Sequence, residues 1–288
     1  MDFQTELTWL GISFVYVAIG VLLVLMSKFL KELLTPYRID TELVQKDNPA
    51  LGLAMTGYFA GVLIIYLGAT VGPSPEEVPP MSELLQDLVL NLSYAIVGMA
   101  LLNVSSIVVD KLVLYKFSIR KEIIDDRNAG TGAVEAGCLI ASGLVIAGSI
   151  HGEGDFLTAL VFYGIGQAVL IIFGLFYQWI TSFDVHKEIE EDNVSAGVSL
   201  GLSMVAIGII MLKATFGDFI SWEHNLIMFG LYAVTGFVTL LIIRQVVDLT
   251  LMPRTTIHKE IAEDRNLNAA LLEGTLCVGS AAAILLIF

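Results

Sequence analysis

Two glutamates stand where an ionisable group is hardest to keep. Glu135 and Glu273 each lie seven residues beyond an asparagine, Asn128 and Asn266, inside long apolar runs. On a helix rising 1.5 Å per residue, seven residues span about 10 Å. That is roughly a third of the way across a hydrocarbon core of about 30 Å. A lone carboxylate at such a depth costs about 3 kcal/mol or more unless it is neutral, paired or in contact with water. One reading makes each glutamate a protonated or arginine-paired group that hydrogen-bonds between helices. The other makes them a pair lining a polar path for protons or small cations. Asp110 and Asp248 also recur at equivalent positions, each after Val-Val at the end of an apolar run. Pairing with Lys or Arg of the neighbouring loop is their ordinary explanation; a place on the same ion path is the functional one.

These residues belong to an internal repeat. Four segments run from a glutamate to an asparagine: Glu42 to Asn48, Glu122 to Asn128, Glu188 to Asn193, and Glu260 to Asn266. Four residues after each asparagine stands a small residue, Gly52, Gly132, Gly197 or Ala270. The second and fourth copies are the closest pair, with 8 of 19 positions identical from Asp110 to Asn128 and from Asp248 to Asn266. The first and third copies carry Met55 and Leu200 where the others carry the glutamates. The order is therefore A-B-A-B, two tandem four-helix halves over 1–150 and 151–288. The third copy is one residue shorter between Glu188 and Asn193, which predicts a different loop geometry there.

Asn48, Asn128, Asn193 and Asn266 sit where a helix begins, and asparagine is a leading N-cap because its side-chain oxygen accepts from first-turn N–H groups. Asp47, Asp126, Asp192 and Asp264 suit the positive end of the same helices. A functional alternative is that four helix N-termini converge on an anion or a headgroup phosphate; the surrounding carboxylates weaken it. Arg127 and Arg265 are expected to pair with a carboxylate of another repeat. His186 and His258 also recur, without the dense Cys/His spacing of a zinc motif. No nucleophile elbow, phosphate-binding loop or metallopeptidase motif occurs. Neither a metal, a cofactor nor an enzymatic activity is expected.

The elements that position these groups follow from composition. The chain has 288 residues, 56% hydrophobic and only 15% charged, against about 25% charged in globular domains. Too few charges remain to cover a soluble surface, so lipid must be the solvent for most of it. Apolar stretches long enough to span a bilayer fall at 8–30, 48–72, 86–112, 129–150, 156–182, 194–214, 224–250 and 267–288. The fold class is all-α, a polytopic membrane protein with eight transmembrane helices in four two-helix repeats. Of 15 Lys and Arg, all but Lys213 follow the first, third, fifth or seventh span. The positive-inside rule then places that face in the cytoplasm and both termini outside. The other four spans are rich in small residues, which predicts an inner ring of closely packed helices. Pro73, Pro75, Pro79 and Pro80 predict an extended outer loop.

The pattern Glu-Ile-x-x-Asp-Asn-x-x-x-Gly before one helix, and Asp-Arg-Asn with an intramembrane Glu before the next, resembles the bacterial membrane proteins grouped as domain of unknown function 350. The resemblance covers essentially the whole chain as two fused copies. It implies a bacterial inner-membrane location and assigns no activity. A net charge of −14 argues against nucleic acid as a partner, since no Lys/Arg-rich patch could neutralise phosphates. Cys138 and Cys277, both in apolar stretches, exclude a secreted disulfide framework. The leading expectation is a channel or transporter for protons or small cations. The alternative is a non-conducting scaffold that recruits a cytoplasmic partner, as in an envelope-stress response. Besides the lipid bilayer, the candidate partners are a second copy of the chain and a cytoplasmic protein.

Overall fold

The computed structural model describes residues 3–72, 78–151 and 154–287. The expected extended loop at 72–80 falls largely outside them. Because lipid offers no hydrogen-bond partners, an apolar run can cross it only by satisfying its own backbone. Helices accordingly form at every expected span: α1 Phe3–Leu34, α2 Pro49–Thr70, α3 Met81–Val108, α4 Ala129–Ser149, α5 Phe156–Ile180, α7 Val194–Thr215, α8 Trp222–Val246 and α9 Leu267–Ile287, with a short α6 at Val185–Glu190. The eight long helices meet the length and apolarity needed to cross a membrane, and no strand occurs among the described residues.

The helices form two layers. In the inner layer α2, α4, α7 and α9 pack in sequence, each on the next. In the outer layer α3 lies between α2 and α4, α5 between α4 and α7, and α8 between α7 and α9, while α1 rests on α2. The inner layer is an open row and not the expected ring: α2 and α9 stand at its two ends. What the small residues supply is close approach between successive neighbours. A Cβ at Gly57 would overlap the Ala136 backbone, one at Gly137 that of Gly201, and one at Gly197 that of Gly130. With no hydrophobic force between helices in lipid, such backbone contact supplies the dispersion energy that holds them.

One end of the bundle carries all four repeat motifs, and there the local chemistry is the same each time. The residue before the asparagine has a left-handed backbone, with φ of 47° at Asp47, 55° at Arg127, 58° at Asp192 and 48° at Arg265. This turns the chain from the loop into the next helix. Each asparagine Oδ1 then accepts a backbone N–H of the new helix: Leu51, Thr131 and Ala196 at 3.1, 2.9 and 3.2 Å, and Asn268 at 3.0 Å. In copies one, two and four the preceding turn is wide, closed by i to i+5 bonds such as Lys46 N to Thr41 O and Asp126 N to Lys121 O, both 3.1 Å. Copy three is an ordinary α-turn, α6, in the same place. A π-type turn is an α-turn with one residue inserted, so the missing residue converts one into the other. The exit into the helix stays the same.

Asp110 and Asp248 do equivalent structural work at this end. Asp110 Oδ1 accepts Ile119 N at 3.0 Å and Asp248 Oδ1 accepts Ile257 N at 2.7 Å, each closing a nine-residue loop. Arg265 behaves as expected, lying 3.3 Å from Glu191 and 3.8 Å from Glu188 of the third copy. Arg127 departs from expectation, with no ion-pair partner among the described residues. Its counterpart position in the preceding copy is Lys46 where Arg265 meets Glu191, so the electrostatic partner is replaced by a like charge.

Candidate intramembrane site

Glu135 projects from α4 at the depth that its seven-residue distance from Asn128 dictates, and is 7% exposed. Around it converge Lys31 from the end of α1, Ser106 from α3 and Tyr58 from α2. Ser106 Oγ donates to Glu135 Oε1 at 3.4 Å and accepts from Lys31 Nζ at 3.1 Å. The ammonium lies 5.0 Å above the Tyr58 ring centre, and the Tyr58 hydroxyl accepts from Asn103 Nδ2 at 2.9 Å. The glutamate is thus reached by its cation through one serine hydroxyl. Asn103, one of the isolated polar residues within a span, serves this arrangement by joining α3 to α2.

Glu273 on α9 is 2% exposed and more tightly held. Ser199 Oγ of α7 donates to its Oε2 at 2.6 Å, and the Tyr177 hydroxyl of α5 lies 2.6 Å from the same serine. Arg244 of α8 stands 3.5 Å from Oε1, its guanidinium 5.8 Å from the Tyr177 ring centre. Each glutamate therefore has its own cation in its own half, and α7 separates α4 from α9. Arg244 and Glu273 form a direct ion pair, whereas Lys31 reaches Glu135 only through Ser106. The structure does not bring the two glutamates together on one path.

The halves are related by register, with one exchange. Lys31 and Tyr177 each precede by four residues a threonine whose hydroxyl bonds back to their carbonyl, Thr35 at 2.8 Å and Thr181 at 3.0 Å. Ser106 and Arg244 each precede Asp110 and Asp248 by four. Lysine in the first half thus corresponds to tyrosine in the second, and serine to arginine. The cation has moved from the first outer helix of one half to the last outer helix of the other.

A second difference concerns space. A cavity of about 540 Å³ lies between α1 and α3, with Glu135, Lys31, Ser106 and Asn103 at its inner end. Its mouth is formed by Pro36, Tyr37, Asp110, Lys111 and Arg120 at the motif end of the bundle. Burial, and next the Glu135 carboxylate, push the Tyr37 phenol well above its usual range. In the second half, Phe173 and Phe176 of α5 pack against Phe237 of α8 at ring separations of 5.5 and 5.2 Å. The residues in equivalent register in the first half are Ser27, Leu30 and Met99. None of these three lines the cavity, which extends from Lys31 and Asn103 toward the motif end.

The motif asparagines do not converge on a common anion site. Their side-chain amides instead tie each copy to the next: Asn48 Nδ2 donates to Ile123 O, Asn128 to Ile189 O and Asn193 to Ile261 O, at 2.8, 2.6 and 2.8 Å. The flanking acids join this layer. Asp192 Oδ1 accepts Ala129 N at 3.1 Å, across copies, and Asp126 and Asp264 lie 3.2 and 3.9 Å from Lys121 and Lys259 of their own turns. His186 is buried between Gln178 Oε1 and Val113 O, and burial lowers its pKa. His258 instead lies 3.8 Å from Glu263. Among the described residues no group of three or more His, Cys, Asp or Glu is placed to hold a metal. Lys31, Ser106, Tyr58, Tyr177, Ser199 and Arg244 are the site residues that repeat comparison alone missed. Charge balance is a partial signal for two of them: two glutamates inside a bilayer require cations, and Lys28, Lys31 and Arg244 are basic residues within or at the edge of a span on the same face.

Comparison with known proteins places this architecture. A 265-residue stretch is 24% identical to a UPF0719 transmembrane protein of Aquifex aeolicus (strain VF5), covering 90% of this chain and 93% of that protein. No solved structure matches. The family model described as Domain of Unknown Function (DUF350) matches twice, over residues 5–150 and 153–287, the two halves that the repeat and the helix order define. The chain is a polytopic membrane protein of the DUF350 family, built from two tandem copies of its domain.

Proposed function

We propose that the protein moves protons or small cations across the bacterial inner membrane, with its basic face in the cytoplasm, both termini outside, and Glu135 as the exchanging group. The observation that carries this reading is the cavity ending on the Glu135–Ser106–Lys31 chain, where a buried carboxylate meets solvent-sized space. Lysine and glutamate can each give up a proton, whereas arginine stays charged. The first half therefore holds an exchangeable pair and the second a fixed one. The lopsided basic charge supports the orientation, and the bacterial relative supports the location. No covalent chemistry belongs to this proposal. In proteoliposomes carrying a pH- or cation-sensitive dye, the wild type is expected to dissipate an imposed gradient, and Glu135→Gln to abolish the flux. Wild-type vesicles as tight as empty ones, across several gradients and voltages, would defeat the proposal.

A second reading, a non-conducting scaffold for a cytoplasmic partner in an envelope-stress response, is favoured by one observation. Glu273 is buried against Ser199 and Arg244, and the exposed acids of the motif layer, among them Asp125, Asp126 and Asp264, form a polar platform on one face. Tight wild-type vesicles together with a protein that crosslinks to this platform in cells would support it.

A further inference from the structure

We propose that the chain assembles head to tail with further copies of itself, α9 of one copy seated on α2 of the next in the register that α2 already uses on α4. The chain makes the same interface three times. Counting from each capping asparagine, the ninth residue of one inner helix meets the eighth of the following one: Gly57 against Ala136, Gly137 against Gly201, Leu202 against Gly274. The second residue likewise meets the fourth, Ala50 against Gly132 and Gly130 against Gly197. At the ends of the row the same positions are unused. Thr275 and Gly279 on α9 and Thr56 on α2 are exposed, and Gly52 is half-buried. A Cβ at Gly279 would meet nothing within 4 Å, whereas at its counterpart Gly61 it would press on Leu139 O. At Gly52 it would touch only Leu43 of its own loop, whereas at Gly132 and Gly197 it would overlap a neighbouring backbone.

Two independent features end at the same edges. The chain of asparagine amides that links copies one to two, two to three and three to four stops at Asn266, whose Nδ2 keeps only the bond to the glutamate of its own turn, Glu260 at 2.7 Å, a bond that Asn128 and Asn193 make as well. Among the described residues no asparagine reaches the Leu43 carbonyl, the counterpart of the Ile123, Ile189 and Ile261 acceptors. In the outer layer, α3, α5 and α8 each pack on two inner helices, while among the inner helices α1 rests on α2. An α9 from another copy would give α1 a second inner helix. The free edge of α9 mixes Asn268, Thr275 and Gly279 with the exposed Leu271 and Leu272. A contact between two different faces is heterologous and closes only as a ring, of which two copies are the smallest.

The inference does not depend on what the protein transports, and its test reads assembly alone. Thr56 and Thr275 are each replaced by cysteine, singly and together, and the full-length chain is oxidised in native membranes. The double variant is expected to give covalent multimers and either single variant none; Cys138 and Cys277 are buried, so the wild type serves as the blank. Crosslinking by a single variant would show a like-to-like contact and overturn the head-to-tail arrangement. So would a double variant that stays monomeric on the gel. As a second measurement, the wild type in lipid nanodiscs is weighed by native mass spectrometry. A multimer that Gly52→Leu reduces to folded monomer supports the proposal, and a wild-type monomer defeats it.

Discussion

At the scale of single residues, the two halves carry equal charge on different helices, and the chemistry of the cation sets them apart. Breaking a buried pair from one side leaves an uncompensated charge, which typically costs about 3–5 kcal/mol. Arg244→Met is therefore expected to lower the stability of the protein by that order, read as a drop in melting temperature in detergent. Adding Glu273→Leu should restore most of the loss, because an apolar pair of similar volume often replaces an ion pair without penalty. Unchanged stability of the single variant would mean that Glu273 does not need its arginine. At Ser106 the expectation is kinetic. Ser106→Ala removes the hydroxyl between Lys31 and Glu135, so proton or cation flux in proteoliposomes should fall while melting stays close to wild type. The glutamates were legible from sequence because they recur in register. Their cations were not, because lysine and arginine sit at positions that the repeat pairs with tyrosine and serine. Comparing copies hides a group that has changed helix.

At the scale of elements, the motif layer combines three small devices: a left-handed residue, a capping oxygen and an amide that reaches the next copy. Asn128→Ala removes both the cap, worth about 0.5–2 kcal/mol, and the bond to Ile189 O, worth about 0.5–1.5 kcal/mol. In the isolated chain Asn266→Ala removes a cap and a bond within its own turn, so Asn128→Ala should alone loosen one copy from the next, seen as faster amide exchange in both neighbouring loops. Arg127 has no ion-pair partner among the described residues and a φ of 55°, a backbone that costs a side-chain-bearing residue about 1–2 kcal/mol. Arg127→Gly should therefore raise the melting temperature slightly. The loop between α5 and α6 has a pH signature. Lys116 donates to Asp184 at 2.7 Å and holds that carboxyl below its ordinary range. A lowered folded value contributes stability above the unfolded value of about 3.9, and that stability is lost as the pH falls through the folded one. The difference in melting temperature between wild type and Asp184→Asn should thus close on acidification below about pH 4. The asparagine caps were legible as residue types, and the shortened third copy as a changed loop. That the change is a π-type turn becoming an α-turn was not, since both end on the same Asp-Asn or Arg-Asn step. Only the hydrogen-bond span tells them apart.

At the scale of the whole molecule, hydropathy and the repeat together determined eight helices, their pairing into units and which four lie inside. They could not distinguish a ring from a row. Small residues report that two helices approach, without reporting whether the last returns to the first. The seam between α4 and α7 is where this matters most, because it joins the two domain copies and is lined by backbone on both sides. Gly137 faces Gly201, Gly197 faces Gly130, and Gly208 faces Ala141. A leucine at Gly137 has no flexible neighbour to displace and must push one helix away from the other, which forfeits dispersion contacts along the whole interface. Gly230 on α8 and Gly164 on α5 have open space around the position of a Cβ, so a leucine there meets only lipid and gains helix propensity. Gly137→Leu is accordingly expected to separate the halves, opening the segment 182–193 further to protease and lowering the melting temperature sharply, while Gly230→Leu leaves both measurements at or above wild type. Equal behaviour of the two variants would mean that backbone contact between α4 and α7 does not hold the domain copies together. A loss confined to Gly137→Leu would identify that seam as the joint on which the tandem architecture depends.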